Sequence, residues 1–506
     1  MNATIVKSDL DTSDPFWTSL REHVRSLENV PDRLKDWHPG SDGLVLDLLH
    51  PSLYPLQYGK SRVLPTGSVP LRNCVEHTGL GEVCLVPSFS INETHSGYYK
   101  RKANGNEFHL DAWGYYQWLP SEISFGEDGS AKVDSYINNL HPERHAELHD
   151  VLATAVDKAV PLWNECLSWF HERLRLPVAG CSYEDFVAPT YPGYSHEDND
   201  DNDDEDMDGE HESIDEYDKE QHYRDWMQAH PEERLLKQPS PHGDYVPFEQ
   251  RLQTNGSRRI DLRSGFRDGL QVIFKLANIH LTPEKPVYSG SNWHVEGALN
   301  EHICATALFY YDSDNITDSY LEFRQEVDSM DMTCKPSQYE WEAAEAMFGI
   351  QNEGSAIQGL GRVLTRPGRL LAFPNVLQHK VGQFGLKDAT KAGHRKILAM
   401  FLVDPHIQIL STANVPPQRV DWWAVEVQKV PPFSDLPVEL FDRIMEHVED
   451  FPISWDEACE MREELMAERG RANEDLDEML REVCPSSEEA FRGVACNVCR
   501  TDQLVV

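Results

Sequence analysis

The chain has 506 residues with 86 acidic and 46 basic side chains, a formal net charge of −40 at pH 7, so it repels polyanions, and neither nucleic acid nor an anionic membrane is an expected partner. At ~100–200 residues per domain the length predicts two to four domains. Ten irregularly spaced cysteines make no disulfide framework, the opening residues lack the pattern of a signal peptide, and the longest strongly apolar run, Ile397 to Val403, is far below the ~18 residues that span a bilayer; the expectation is a cytoplasmic or nuclear protein.

Residues 1–180 read as a mixed helix-and-strand region that packs on the rest. Phe16, Leu20, Val24 and Leu27 recur at helical spacing, as do Leu148, Val151, Leu152, Ala155 and Val156, and Pro161 is expected to end or kink the second helix. Between them, segments such as HPSLYPLQYGKSRVLP predict irregular structure and short strands.

Residues 181–245 form an acidic insertion. From His196 to Glu220 there are 15 Asp or Glu and one Lys, which cannot bury apolar area and should stay disordered. A solvated loop is the plain reading, and a dock for a basic protein partner is the alternative.

Residues 246–410 are nearly neutral, with 19 acidic and 17 basic side chains. Here LQVIFKLANIHL, ICATALFYY, YLEFRQEV, GRVLTRPGRLLAF and RKILAMFLV are short apolar or alternating runs punctuated by Pro, Gly, Asn and Asp. Several strands without intervening helices predict a closed or double-sheet β-domain, a jelly roll or barrel. Residues 411–506 read as a helical tail, with Ser454 and Glu457 at capping-box spacing and Ala458, Met461 and Leu465 on one face.

Three residues of the β-block carry metal-binding chemistry. His294 and Glu296 stand in NWHVEG, and His379 lies 83 positions after Glu296 in FPNVLQHKV. On a strand, residues two apart share a face, so one imidazole and one carboxylate would meet at a point, with a third ligand from a distant strand. Two His and one carboxylate with open positions opposite is the ligand set of non-haem Fe(II) oxygenases. On spacing alone the bland alternative, hydrogen-bonded histidines on a polar strand edge, comes first.

Arg395 adds a fourth element, 16 residues after His379, at the head of the most apolar strand. A buried guanidinium needs an anionic partner, and its fork suits two-point contact with a carboxylate. The partner is either the distal carboxylate of 2-oxoglutarate or a core Asp or Glu.

This order of H-x-E, distal His and Arg resembles the 2-oxoglutarate/Fe(II) oxygenase superfamily with its double-stranded β-helix. More closely, the stretches HPSLYPLQYGKSRVL, SYINNLHP, ANIHLTPEKPVYSGSNWHVEGALNEHICATALFYYDSDNIT, GRLLAFPNVLQHKV and GHRKILAMFLVDP resemble a largely fungal family, domain of unknown function 4246 (DUF4246). The resemblance covers most of residues 45–405 and implies an α+β chain with a jelly-roll core. It implies His294, Glu296 and His379 as iron ligands and Arg395 as the anchor of 2-oxoglutarate, with O₂ as the second cosubstrate. The carboxylate is Glu where the superfamily usually has Asp, and its retention argues against a halogenase. The implied activity is a dioxygenase hydroxylating a small-molecule or protein substrate that the sequence does not identify. The alternatives are an inactive β-helix scaffold that binds partners and a zinc-type hydrolase.

Other residues weighed are His302, read as structural, and Arg324, a second candidate anchor. Of Tyr310 and Tyr311, alternation lets one face inward. Asn375 is read as a turn residue, GLGRV at 359–363 lacks the context of a dinucleotide loop, and Cys496 and Cys499 form a lone C-x-x-C without the four ligands that zinc sites usually need.

Overall fold

The long apolar runs of the β-block become strands because both of their faces are buried, which is why they read as near-continuous rather than alternating. The computed structural model describes residues 4–32, 35–86, 114–168, 259–326, 357–448 and 451–482, with residue 355 and short stretches between 102 and 236. The acidic tract 196–220 and the Cys496/Cys499 pair lie outside the described residues.

The longer elements are β1 (Val6–Asp9), α1 (Pro15–Glu28), β2 (Asp36–Trp37), β3 (Val45–Leu49), β4 (Ser121–Phe125), β5 (Ala131–Val133), α2 (Ala146–Ser168), β6 (Leu270–Leu281), β7 (Ile303–Asp314), β8 (Tyr320–Glu326), β9 (Ile357–Leu364), β10 (Arg369–Pro374), β11 (Gln378–Val381), β12 (Gly393–Val403), α3 (Val420–Gln428), α4 (Val438–Met445) and α5 (Trp455–Glu482). The chain is thus α+β, built on a large antiparallel sheet. Its order is β1-β10-β7-β12-β6-β4-β5, with β3 following β4 along the same edge of β6 and β2 beside β3. The N-terminal region therefore does more than pack on the β-block: β1 to β5 are strands of the same sheet. A smaller sheet, β9-β8-β11, is also antiparallel.

Alternation divides each central strand between two cores. Val272, Phe274, Phe309, Leu398, Met400 and Leu370 pack against α1 and α2 on the outer face. Ile273, Leu308, Tyr310, Phe373, Ala399 and Phe401 form the inner face, where Leu321 and Phe323 of β8 cover them. α1 starts at the Asp14 cap, whose carboxylate accepts the Phe16 N–H, and buries Phe16, Trp17, Leu20 and Val24.

α2 runs through Pro161 to Ser168 rather than ending there. Leu162, Trp163 and Cys166 continue the buried face past the proline, and the Asp157 carbonyl that Pro161 cannot serve accepts from Arg263 Nη2 at 3.4 Å. Tertiary packing outweighs the local penalty.

α5 crosses the inner side of the molecule. Ser454 Oγ accepts the Glu457 N–H as the spacing predicts, but the Glu457 carboxylate pairs with Lys60. Ala458, Met461 and Leu465 are buried in the inner core. Further along, the helix holds on through polar pairs, Arg469 with Glu301 and Asp477 with Arg324. Among the described residues no helix is long and apolar enough to cross a membrane.

Candidate metal centre

His294, Glu296 and His379 come together: one ligand atom of each lies within 4.8 Å of the others. The sequence places the first two on a strand, but the segment before Leu299 has no regular strand around His294. What holds it is a one-residue bridge, in which the His294 N–H donates to the His379 carbonyl at 3.1 Å and the His379 N–H returns to the His294 carbonyl at 3.0 Å. This pairing brings the two rings to a centroid distance of 4.4 Å. His379 itself sits on β11 opposite Phe323 of β8, buried, with the Phe373 ring 4.9 Å away.

Glu296 is fixed by Asn375. The Glu296 N–H donates to Asn375 Oδ1 at 2.9 Å, and Asn375 Nδ2 donates to the carbonyls of Glu296 at 2.8 Å and Ile303 at 3.1 Å. Asn375 is therefore more than the turn former the sequence suggests, though side-chain type alone gave no sign of its partner. Gly297 follows at φ +73°, where a Cβ would meet the Glu301 carboxylate and the Ile303 side chain.

The chemistry of the three side chains suits a cation. Nδ1 of His294 lies 2.9 Å from the Asn292 carbonyl, so that nitrogen carries the proton and Nε2 keeps a free lone pair. Nε2 of His294 and of His379 lie 3.9 and 3.3 Å from Oε1 of Glu296. Burial, then the neighbouring His379, lowers the His294 imidazole to about 4. Burial also works to raise the Glu296 carboxyl, but the bond to His379 and the charges of both histidines outweigh it and hold it at about 2. At neutral pH these are a neutral imidazole and a carboxylate, the forms that ligate metal.

Arg395 enters β12 buried, only 2% exposed. Its Nη1 donates to Ser319 Oγ at 3.1 Å, its guanidinium lies 4.9 Å from the Tyr310 ring and 5.7 Å from that of Phe384, and its Nε has no partner among the described residues. Among the described residues no carboxylate pairs with it. Arg324, by contrast, pairs with Asp477, donates to Gln378 Oε1 at 2.7 Å and stacks on Trp293. Tyr310 faces the inner core with Arg395, while Tyr311 points the other way and donates to Asn278 Oδ1 at 3.0 Å.

A second group of two histidines and one carboxylate, His38, Asp47 and His50, was not visible in the sequence. Its members sit on irregular spacings around β3, with no motif to mark them. Asp47 Oδ2 is 2.8 Å from His38 Nδ1 and 3.8 Å from His50 Nε2. The Ser52 N–H donates to His50 Nδ1 at 3.2 Å, which assigns the His50 proton to Nε2, facing Asp47. Burial lowers the His50 imidazole well below its ordinary range despite the Asp47 charge beside it. Burial works to raise Asp47, but His50, His38 and Lys275 outweigh it and keep the carboxyl low.

A cavity of about 480 Å³ adjoins the first group, with Glu296 and Asn375 in its wall on one side and Arg469 and Asn473 of α5 on the other. His302 lines it too, as the residue that closes a short helical turn at φ +47°.

The family described as "Protein of unknown function (DUF4246)" matches residues 1–426, and the chain belongs to it. No curated protein matches. Among solved structures, a bsmA homologue from Methylobium petroleophilum PM1 is similar at 11% identity over 29% of this chain and 45% of that one, with a TM-score of 0.18. The Fe(II)/(alpha)ketoglutarate-dependent dioxygenase TqaL is 19% identical over 36% of this chain and 68% of its own, with a TM-score of 0.18. EvdO2 from Micromonospora carbonacea var. aurantiaca, complexed with 2-oxoglutarate, is 10% identical over 26% and 52%, with a TM-score of 0.14. The chain thus spans about half the length of the bsmA homologue and of EvdO2.

Proposed function

We propose that this chain is an Fe(II)- and 2-oxoglutarate-dependent dioxygenase on a double-stranded β-helix, with His294, Glu296 and His379 as iron ligands and Arg395 as the cosubstrate anchor. The observation that carries the reading is Arg395. A guanidinium buried on the inner face with no carboxylate partner among the described residues is costly unless an anion completes it, and it accompanies a two-histidine, one-carboxylate group that no other described side chain closes. The small sheet β9-β8-β11 over the inner face of the large one supports the β-helix reading.

When bound, iron and 2-oxoglutarate supply oxidation of a C–H bond by O₂, with succinate and CO₂ as co-products. The side chains of the protein bind and orient. Asn292 sets the His294 tautomer, Asn375 fixes the Glu296 backbone, and Phe373 and Phe323 wall His379 from water. Arg395 offers its remaining N–H donors to the distal carboxylate, with the Tyr310 and Phe384 rings holding the fork in place.

Anaerobic loading with Fe(II) and 2-oxoglutarate, followed by air, should yield succinate. Arg395→Lys keeps the charge but loses the fork, so 2-oxoglutarate affinity should fall about tenfold or more. The melting temperature of the metal-free protein should barely move, because no buried ion pair is broken. Metal binding without succinate would favour the inactive scaffold. A large drop in melting temperature with unchanged 2-oxoglutarate affinity would remove Arg395 from the site.

A further inference from the structure

The cavity beside Glu296 is walled on its outer side by α5, a helix that lies beyond the family match at residue 426. The buried stripe of α5 changes character along its length. Ala458, Met461 and Leu465 pack into the inner core, and the same stripe continues as Arg469, Ala472, Asn473 and Leu476 along the cavity. Asn473 Oδ1 accepts the Val295 N–H at 3.4 Å, between the two candidate ligands His294 and Glu296.

We propose that this cavity holds the primary substrate and that the substrate is a small, uncharged, largely apolar molecule. The inference rests on the reading of the metal centre above and names the substrate class for it. Volume is the first argument, since about 480 Å³ falls in the range of small-molecule sites. The second is the lining: Val295, Leu299, Ile303, Val376, Ala472 and Leu476 present apolar surface. Leu299 and Val376 are left 37% and 40% exposed beside a carboxylate the fold otherwise encloses, the condition of a rim awaiting an apolar ligand.

Charge is the third argument. Arg469 is paired with Glu301 and lies 3.8 Å over the Trp118 ring. Glu468 accepts the Tyr115 N–H at 3.0 Å, and burial pushes its carboxyl up, toward the neutral form. Glu296 faces its two histidines and, on the metal reading, the cation. With Arg469 set against Glu301, the wall leaves an entering ion little charge to meet, and that ion would lose its hydration without recompense.

The test uses the full chain loaded with Co(II), which accepts the same ligand types and absorbs in the visible, and the uncharged probe N-phenyl-1-naphthylamine. Saturable fluorescence should appear at one probe per chain, with a shift of the Co(II) bands. Ala472→Trp fills the cavity and should weaken the probe tenfold or more, with Co(II) affinity unchanged. Should that variant fail to fold, Val376→Asp at the exposed rim should have the same effect. Equal probe affinity in wild type and variant, unshifted Co(II) bands at saturation, or tighter binding of the anion 1-anilinonaphthalene-8-sulfonate than of the neutral probe would overturn the proposal. If the chain takes no Co(II), the metal reading fails by itself, while the probe's response to Ala472→Trp still reports on the cavity.

Discussion

His294–Glu296–His379 and His38–Asp47–His50 each bring two histidines and one carboxylate together at similar separations, yet their hydrogen bonds prepare them for different work. In the first, the Asn292 carbonyl takes the Nδ1 proton of His294 and leaves Nε2 a lone pair. In the second, the Ser52 N–H occupies His50 Nδ1 and forces the proton onto Nε2, toward Asp47. In the first, Nε2 of His294 is thus left an acceptor beside a carboxylate that lines a cavity, whereas in the second Nε2 of His50 carries a proton and Asp47 already lies 2.8 Å from His38 Nδ1. Lys275 is not the source of the contrast, since its charge acts on Glu296 and Asp47 alike. Counting ligands finds both groups, whereas the partner of the far nitrogen separates them.

The largest expected effect breaks the symmetry directly. Wild type should bind one Fe(II) or Co(II) per chain, and Glu296→Ala should weaken it about a hundredfold or more. Asp47→Asn should leave stoichiometry and affinity in place and instead cost about 2 kcal/mol of stability, through a weaker bond to His38. Anaerobic titration and denaturant melts on both variants decide it; equal metal loss from the two would mean that the tautomer argument is wrong. A smaller effect is expected one residue further out. Asn375→Ala removes the bonds that fix Glu296, and metal affinity should drop about tenfold. An unchanged affinity would show that the β-bridge alone positions the site.

The sequence made some of this legible and hid the rest for physical reasons. The run LQVIFKLANIHL is β6 from end to end, because a strand buried on both faces advertises itself in composition. His294, Glu296 and His379 could be picked out because two of them are adjacent in sequence at the period of a strand. The backbone that delivers them, however, is a single bridge that periodicity cannot predict. The strands β1, β3 and β4 entering the same sheet, the Asn375 clamp and the Arg469–Glu301 pair are contacts between residues at least 70 positions apart, as with Asn375 and Ile303 at 72. No local pattern encodes such partners. Pro161 does not end α2, because the packing of Trp163 beyond it offsets a penalty that is all a local reading contains.

The smallest effect concerns the proton on His50. Burial lowers its folded pKa well below the ordinary 6.5, so below pH 6.5 the unfolded chain binds a proton that the folded chain refuses. Its contribution to stability is therefore complete above about pH 6.5 and is lost as the pH falls toward the folded value. His141 and His280, both lowered to about 4 chiefly by burial, tilt the curve the same way, so wild type should lose stability steeply in mild acid. His50→Phe removes one titrating group, and between pH 5 and 6 the slope should flatten by about 1 kcal/mol per pH unit, whatever the substitution does to stability at neutral pH. Denaturant melts across pH 5–7 measure it. The flattening should be the same with and without bound Co(II), because in the arrangement described His50 keeps its Nε2 proton and ligates nothing. A difference between wild type and variant that vanishes on metal loading would place His50 on the metal, and the two groups would then be alike after all.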